Sequence, residues 1–347
     1  MKTNFIRSAT SEFIGAFGDV GTLLPLLIAL VVINGINPFT AVLGVGMLYI
    51  FTGLYYKIPL PVQPLKAMAA IAIISHASAG IIAAAALCMS LILILVAFFN
   101  LGSFLNRIFT KPIIRGIQLG VGLILIKEGI IFLFFSSSLI GFNSQLPTSD
   151  FLLALPSWEN LAAAFFLLVI PQIPLTFGNA LVATEDAARY YYGEKARRVK
   201  IRSLSISLAL GNLWAGLTGG LPVCHGSGGL TAHYKFGART GLATVIFGVI
   251  LIALALVLGT KVIAVFSFIP LPILGLTLCF VGIHHCLLIK SLRSRTEFSL
   301  AFAIGLLGAL TGNLSVAFII GICLRYILMG VHFGLSNYQK ITVIKKA

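Results

Sequence analysis

Gly53-Leu54-Tyr55-Tyr56-Lys57-Ile58-Pro59-Leu60-Pro61-Val62-Gln63-Pro64-Leu65-Lys66 and Gly216-Leu217-Thr218-Gly219-Gly220-Leu221-Pro222-Val223-Cys224-His225-Gly226-Ser227-Gly228-Gly229 are short, proline-broken, glycine-rich stretches placed alike in the two halves of the chain. Each follows a long apolar run and precedes another, so neither reads as a surface linker. In a membrane protein, paired interruptions of this kind mark the place where substrate is held. The two stretches therefore predict two discontinuous half-helices at mid-membrane that together make one binding site.

Composition sets the class. Of 347 residues, 59% are hydrophobic and only 10% charged, with a mean hydropathy of +1.07, which predicts an all-α polytopic membrane protein. Runs long enough to span recur from Phe13 to Ile33, Ala79 to Phe99, Leu242 to Leu258 and Leu314 to Val331, with no soluble domain between them. Lys2 and Arg7 precede an apolar run, but Glu12 and Asp19 interrupt it and no small-residue cleavage site follows. This reads as a retained first helix. Cys88, Cys224, Cys279, Cys286 and Cys323 are scattered without paired spacing, which argues against disulfides and a zinc site.

The net charge of +15 resides in short basic clusters between apolar runs, a pattern of membrane orientation and not of nucleic-acid binding. Arg107, Lys111 and Arg115; Arg189, Lys195, Arg197, Arg198, Lys200 and Arg202; Lys235 and Arg239; Lys290, Arg293 and Arg295; and Lys340, Lys345 and Lys346 are all expected at the cytoplasmic face, beside anionic lipid. The stretch from Ile113 to Ser138 accommodates one long helix or two short ones, and Ala162 to Ile170 and Leu175 to Tyr192 follow it. Two short helices keep the flanking basic clusters inside, giving seven segments per half, fourteen in all, with both termini cytoplasmic. In that scheme Gly141 to Glu159 is inside although it holds no Lys or Arg. A second internal match, Pro112-Ile113-Ile114-Arg115-Gly116-Ile117-Gln118-Leu119 with Pro272-Ile273-Leu274-Gly275-Leu276-Thr277-Leu278, follows the first in the same order. An odd number of crossings per repeat inserts the second copy upside down, so residues 1–160 and 161–347 are expected to be inverted repeats.

Backbone physics supplies the chemistry at the breaks. A helix that starts at mid-membrane presents free N–H groups and a partial positive charge to what lies before it. Gly226, Gly228 and Gly229 suit a nest of N–H donors, with Ser227 and His225 adding side chains. Gln63 and Lys66 are three apart on one helical face, and Lys66 leads into an apolar run where its charge needs a partner, an anion or an acid such as Asp19 or Glu12. Glu12, Asp19 and Thr22 lie along one side of the first helix, and Asp19 is either a coupling carboxylate or the counter-charge of Lys66. Pro171 to Asn179 opens the matching helix of the second half, with Gln172, Thr176 and Asn179 on one face as hydrogen-bonding groups for oxygen ligands or for other helices.

Glu12 with Gly18-Asp19-Val20-Gly21-Thr22-Leu23-Leu24-Pro25, Pro61 to Lys66, Gln172 to Thr176 with Asn179, and Pro222 to Leu230 with Tyr234-Lys235-Phe236-Gly237 together resemble the molybdate transporter family, relatives of the sulfate permeases. The resemblance spans both halves in order. It implies uptake of molybdate, a tetrahedral oxyanion dianion, and the seven-plus-seven inverted-repeat fold shared with uracil permease, in which a core domain holds the site and a gate domain moves against it. By motif position it implies that Gln63, Lys66, His225, Gly226, Ser227 and Gly228 line that site. With the sequence ending at Ala347, no cytoplasmic regulatory domain of the sulfate permease kind is expected.

The expected function is secondary active import of molybdate across the cytoplasmic membrane by alternating access, with no cofactor and no metal. No Gly-Lys dipeptide occurs, so a phosphate-binding loop for ATP is absent, and the drive comes from a proton or sodium gradient, the membrane potential or a separate subunit. The alternatives are sulfate or another oxyanion on the same scaffold and, from another class, an intramembrane serine hydrolase built on Ser227 with a base such as His284. Membrane lipid and a second copy of the chain, as a homodimer, are the expected partners.

Overall fold

In hydrocarbon every backbone N–H and C=O must be bonded within its own segment, so the apolar runs of this chain become helices. The structure, a computed structural model, describes residues 10–99, 101, 110–134, 156–262 and 271–326. Lys2, Arg7, Arg107, much of the stretch from Gly141 to Glu159, and Lys340, Lys345 and Lys346 lie outside the described residues. Among the described residues six helices are long and apolar enough to cross a membrane: α1 (Thr10–Asn34), α2 (Pro38–Tyr56), α4 (Ala79–Phe99), α5 (Lys111–Phe134), α6 (Trp158–Ala196) and the span that begins with α9 (Leu242–Leu258). With them run α7 (Ile201–Thr218), α10 (Leu271–Leu287), α11 (Arg295–Thr311) and α12 (Leu314–Tyr326). The short helices α3 (Lys66–Ser75) and α8 (Ser227–Lys235) follow the two breaks.

Local signals account for the ends. Asn37 caps α2, its Oδ1 accepting from the amides of Phe39 and Thr40 at 3.0 and 3.2 Å, while Pro38 takes the first helical position, where no N–H is needed. Gly35 and Gly219 close α1 and α7 in the left-handed conformation, with φ of +70° and +64°.

Two expectations are corrected. Of the stretch Ile113 to Ser138, taken as two short helices, the described part up to Phe134 belongs to the single helix α5, whose 24 residues reach about 36 Å and so cross a bilayer once. Likewise 162–170 and 175–192 are parts of the continuous α6, which passes through Pro171 and Pro174 instead of starting there. The ladder survives the two missing N–H groups because π-helical turns flank them at Phe165–Val169 and Thr176–Val182. The seven crossings expected of each half are thus not all separate helices among the described residues. Pro112 and Pro272, the heads of the second sequence match, both fall at the second position of their helices, α5 and α10.

Packing pairs α2 with α9, α4 with α7, and α5 with both α10 and α11. Glycines set the closest of these approaches. A Cβ on Gly122 or Gly129 of α5 would lie 2.6 Å from the carbonyl of Gly282 or Gly275 in α10, closer than real Cβ atoms come. Between the pairs, the two breaks meet. Gln63–Pro64 (β1) runs antiparallel to Val223–Cys224 (β2), with Gln63 opposite Cys224 and Pro64 opposite Val223. The Leu65 amide extends the ladder to Pro222 O at 3.0 Å. Asn212 of α7 clamps β2 from behind, donating to Val223 O at 2.8 Å and accepting from Val223 N at 3.1 Å.

The basic ends gather on one side of the molecule. Arg198 donates to Tyr55 O, Lys111 donates to Ser291 O, and the Arg239 amide donates to Glu12 Oε1. At the other end, Asn37 N meets Gly219 O and Thr40 Oγ1 meets Thr218 O.

Candidate functional site

The two half-helix starts are built differently. At α3, Gln172 Oε1 accepts from the amides of Ala67 and Met68 at 3.0 and 3.1 Å, and Gln172 Nε2 donates to Thr176 Oγ1 at 3.1 Å. Gln172 and Thr176 therefore share a face as expected, but the face is turned to α3, which they cap. At α8 there is no side-chain cap on the Gly226 start. Its first amides, those of Ser227, Gly228 and Gly229, have no partner within the helix.

A cavity of about 400 Å³ lies between these starts and the α5–α10 pair. Lys66, Ser227 and Gly228 line one wall, Gly178 and Asn179 of α6 another, and Lys111, Arg115, Gln118, His284 and His285 the third. Buried Lys66, Gln118 and His285 form its depth, while exposed Lys111, Asp186 and His284 surround its mouth. It opens on the side where the basic ends gather. Among the described residues no carboxylate comes within 4.0 Å of Lys66, Lys111 or Arg115. A chamber with three cations on its walls and none in contact with an acid suits an anion.

The remaining expected residues bond to the protein itself. His225 is fully buried, with Nδ1 2.7 Å from Pro61 O and Nε2 2.8 Å from Ser207 Oγ, so its ring staples the first break to α7. Gln63 donates from Nε2 to Asp19 Oδ1 at 2.6 Å. Gly226 and Gly229 admit that Gln63 side chain, whose amide atoms a Cβ at either position would strike. Asp19 stands at the start of the second part of α1, after an interruption at 17–19, without a side-chain bond to that start, and its Oδ2 has no partner. Thr22 donates its amide to Asp19 O at 3.0 Å. Glu12 is separate from them, held at the Arg239 amide. Of the residues expected at the site, the cavity brings together Lys66, Asn179, Ser227 and Gly228.

Ser227 donates to Asn179 Oδ1 at 3.0 Å and to no histidine, so the arrangement of a base-activated nucleophile is not formed, and the hydrolase alternative has no geometry behind it. Arg115, Gln118, His284 and His285 were not expected on this wall. The available signal was Arg115 and Gln118 three apart in an apolar helix, since an ionisable group there is a site candidate by default.

A family profile described as molybdate transporter of MFS superfamily matches residues 11–125 and 164–284. Molybdate transporter 2 of Arabidopsis thaliana is 26% identical over 83% of this chain and 80% of its own length. The transmembrane domain of the cyanobacterium bicarbonate transporter BicA superposes with a TM-score of 0.63 at 16% identity, covering 90% of this chain and 98% of that one. The murine anion transporter solute carrier 26 family member A9 gives 0.65 at 12% identity, covering 93% and 68%.

Proposed function

The chain belongs to the molybdate transporter family, multi-pass anion transporters and not enzymes, and we propose that it imports molybdate across the cytoplasmic membrane by alternating access, driven by an ion gradient. The observation that carries this is the presence of the Lys66 ammonium and the uncapped start of α8 together on one wall of the same cavity. A dianion there receives a charge-assisted bond from Lys66, backbone N–H bonds from Ser227 and Gly228, and the Asn179 amide nitrogen, whose oxygen is already taken by Ser227. Gln63, Gln172, Thr176, His225 and Gly226 hold the two starts in place. Asp19 is the coupling carboxylate, buried beside the site with one oxygen free.

The basic side of the molecule is the cytoplasmic side. With α5 and α6 each crossing once, the clusters at Lys111 and at Arg197 stay inside, and the lysine-free, arginine-free stretch from Gly141 to Glu159 moves outside. The cavity then opens inward. Residues 1–160 and 161–347 are two inverted repeats, a reading supported by the antiparallel meeting of β1 and β2 and by the two blocks of the family match.

Uptake of labelled molybdate into proteoliposomes, with sulfate as competitor, tests the function. Lys66→Ala should weaken apparent affinity roughly 30 to 150-fold, the cost of a charge-assisted contact in a largely dry site. Parental protein that takes up no molybdate would end the reading. Near-parental affinity in folded Lys66→Ala would remove Lys66 from the site.

A further inference from the structure

The wall opposite the half-helices carries charge that the site at Lys66 does not use. Lys111 and Arg115 are one turn apart on α5 and both line the cavity. Their bonds run to neutral groups: Lys111 Nζ to Ser291 O at 2.8 Å, Arg115 Nε to Ser291 Oγ at 2.9 Å, and Arg115 Nη1 to Gln118 Oε1 at 2.7 Å. With Nε and Nη1 so held, the guanidinium is fixed in plane and Nη2 keeps its hydrogens for another acceptor. The acid on this cavity, Asp186, is exposed at its mouth and is in ion-pair contact with neither cation.

His285 of α10 stands beside them. It is only 4% exposed, lines the same cavity, and its Nδ1 has no hydrogen-bond partner. Lys66 and Arg115 line that cavity with it. Buried polar atoms are nearly always bonded, so an unbonded one on a cavity wall is explained by a ligand that fills the cavity. Helix packing does not need these side chains, because α5 and α10 meet through Gly122, Gly129, Gly275 and Gly282.

We propose that Arg115, Lys111 and His285 form a second subsite for a tetrahedral oxyanion dianion, on the wall opposite Lys66 and running from exposed Lys111 at the mouth to buried His285 in the depth. The proposal rests on the reading of the cavity as an oxyanion site. An anion arriving through the mouth meets Lys111 and Arg115 first and is then passed across the chamber to Lys66 and the start of α8. His285 lines the chamber between them and, in the tautomer with the proton on Nδ1, gives its unbonded nitrogen to the anion.

Calorimetric binding of molybdate to purified protein tests this, with Lys66→Ala as reference. Arg115→Gln should weaken binding about tenfold or more and slow uptake in parallel, Arg115→Lys should recover most of the loss, and His285→Leu should weaken binding about fivefold. Parental protein that binds no oxyanion would defeat the transport reading itself. Parental binding that depends on Lys66, with Arg115→Gln and His285→Leu both within twofold of parental, would overturn the second subsite alone. Should either variant not purify folded, phenylglyoxal modification of Arg115 in parental protein, read by peptide mass, decides. Molybdate should slow the modification, and equal rates with and without molybdate would refute the subsite.

Discussion

Ser227 donates its hydroxyl to the side-chain oxygen of Asn179 across 3.0 Å, tying the first turn of α8 to the π-helical turn of α6. The bond decides which atoms are left for an anion. The serine proton is engaged, whereas the amide nitrogen of Asn179 is not needed for the pair. Asn179→Asp keeps the acceptor for Ser227 but turns a carboxylate toward the cavity, and should lower molybdate affinity by roughly 30-fold or more, by analogy with loss of a charged contact. Ser227→Ala should cost only about threefold, a neutral hydrogen bond at most. Equal losses in the two variants would refute this division of roles.

Gln172 is a structural cap, and its loss should appear in stability before transport. Gln172→Ala leaves the buried amides of Ala67 and Met68 without their acceptor. Each unsatisfied buried group costs about 1 to 3 kcal/mol, so thermal unfolding in detergent should shift down by several degrees. Gln172→Glu retains an acceptor oxygen and should keep most of the stability. An unchanged midpoint in Gln172→Ala would show that the start of α3 is held by something else.

The continuity of α5 and α6 changes the side of the membrane on which Ser149 is expected. A single cysteine at Ser149, in a cysteine-free background, should be labelled by an impermeant thiol reagent added to intact cells. Cysteines near Arg197 and Ser294 should be shielded. Shielding at Ser149 would mean that the chain crosses the membrane again between Phe134 and Trp158.

The breaks were legible because proline and glycine write directly onto the backbone: Pro61, Pro64 and Pro222 forbid an uninterrupted helix, and β1, β2 and the two short helices follow from them. Lys66 was legible because a charge in an apolar run requires a partner. The continuity of α6 was not, since π-turns that carry a helix past Pro171 and Pro174 leave no distinct pattern in composition. Helical spacing placed Gln172 and Thr176 on one face, but periodicity does not tell whether that face meets a ligand or a neighbouring helix, and the π-helical turn from Thr176 leaves Asn179 on the cavity with Ser227 instead. His225 illustrates the same limit, as its two ring nitrogens are both taken by the protein. Arg115 and His285 were hidden among residues that membrane orientation already explained.

Asp19 bonds to neutral Gln63 and is not in ion-pair contact with Lys66. Asp19→Asn preserves the oxygen that accepts from Gln63 while removing the group that carries a proton. Accumulation of molybdate against its gradient should fail, while exchange of labelled for unlabelled anion should survive. Parallel loss of both would make Asp19 a counter-charge of Lys66 and not a coupling residue.

Selectivity between molybdate and sulfate tests the glycines. The two ions share charge and shape, so attraction to Lys66 and the α8 start separates them little, and cavity size must do so. Gly228 has no atom within 4 Å of where a Cβ would stand, and its residue lines the cavity, so Gly228→Ala narrows the chamber without disturbing the fold. Molybdate is the larger ion and should lose affinity more than sulfate does. Gly226→Ala acts differently, because its methyl would strike the Gln63 side chain and should lower stability and both affinities together. Paired binding isotherms for the two anions check this, with thermal unfolding as the control. If Gly228→Ala kept parental affinity for both ions, the anion would not lie against the start of α8.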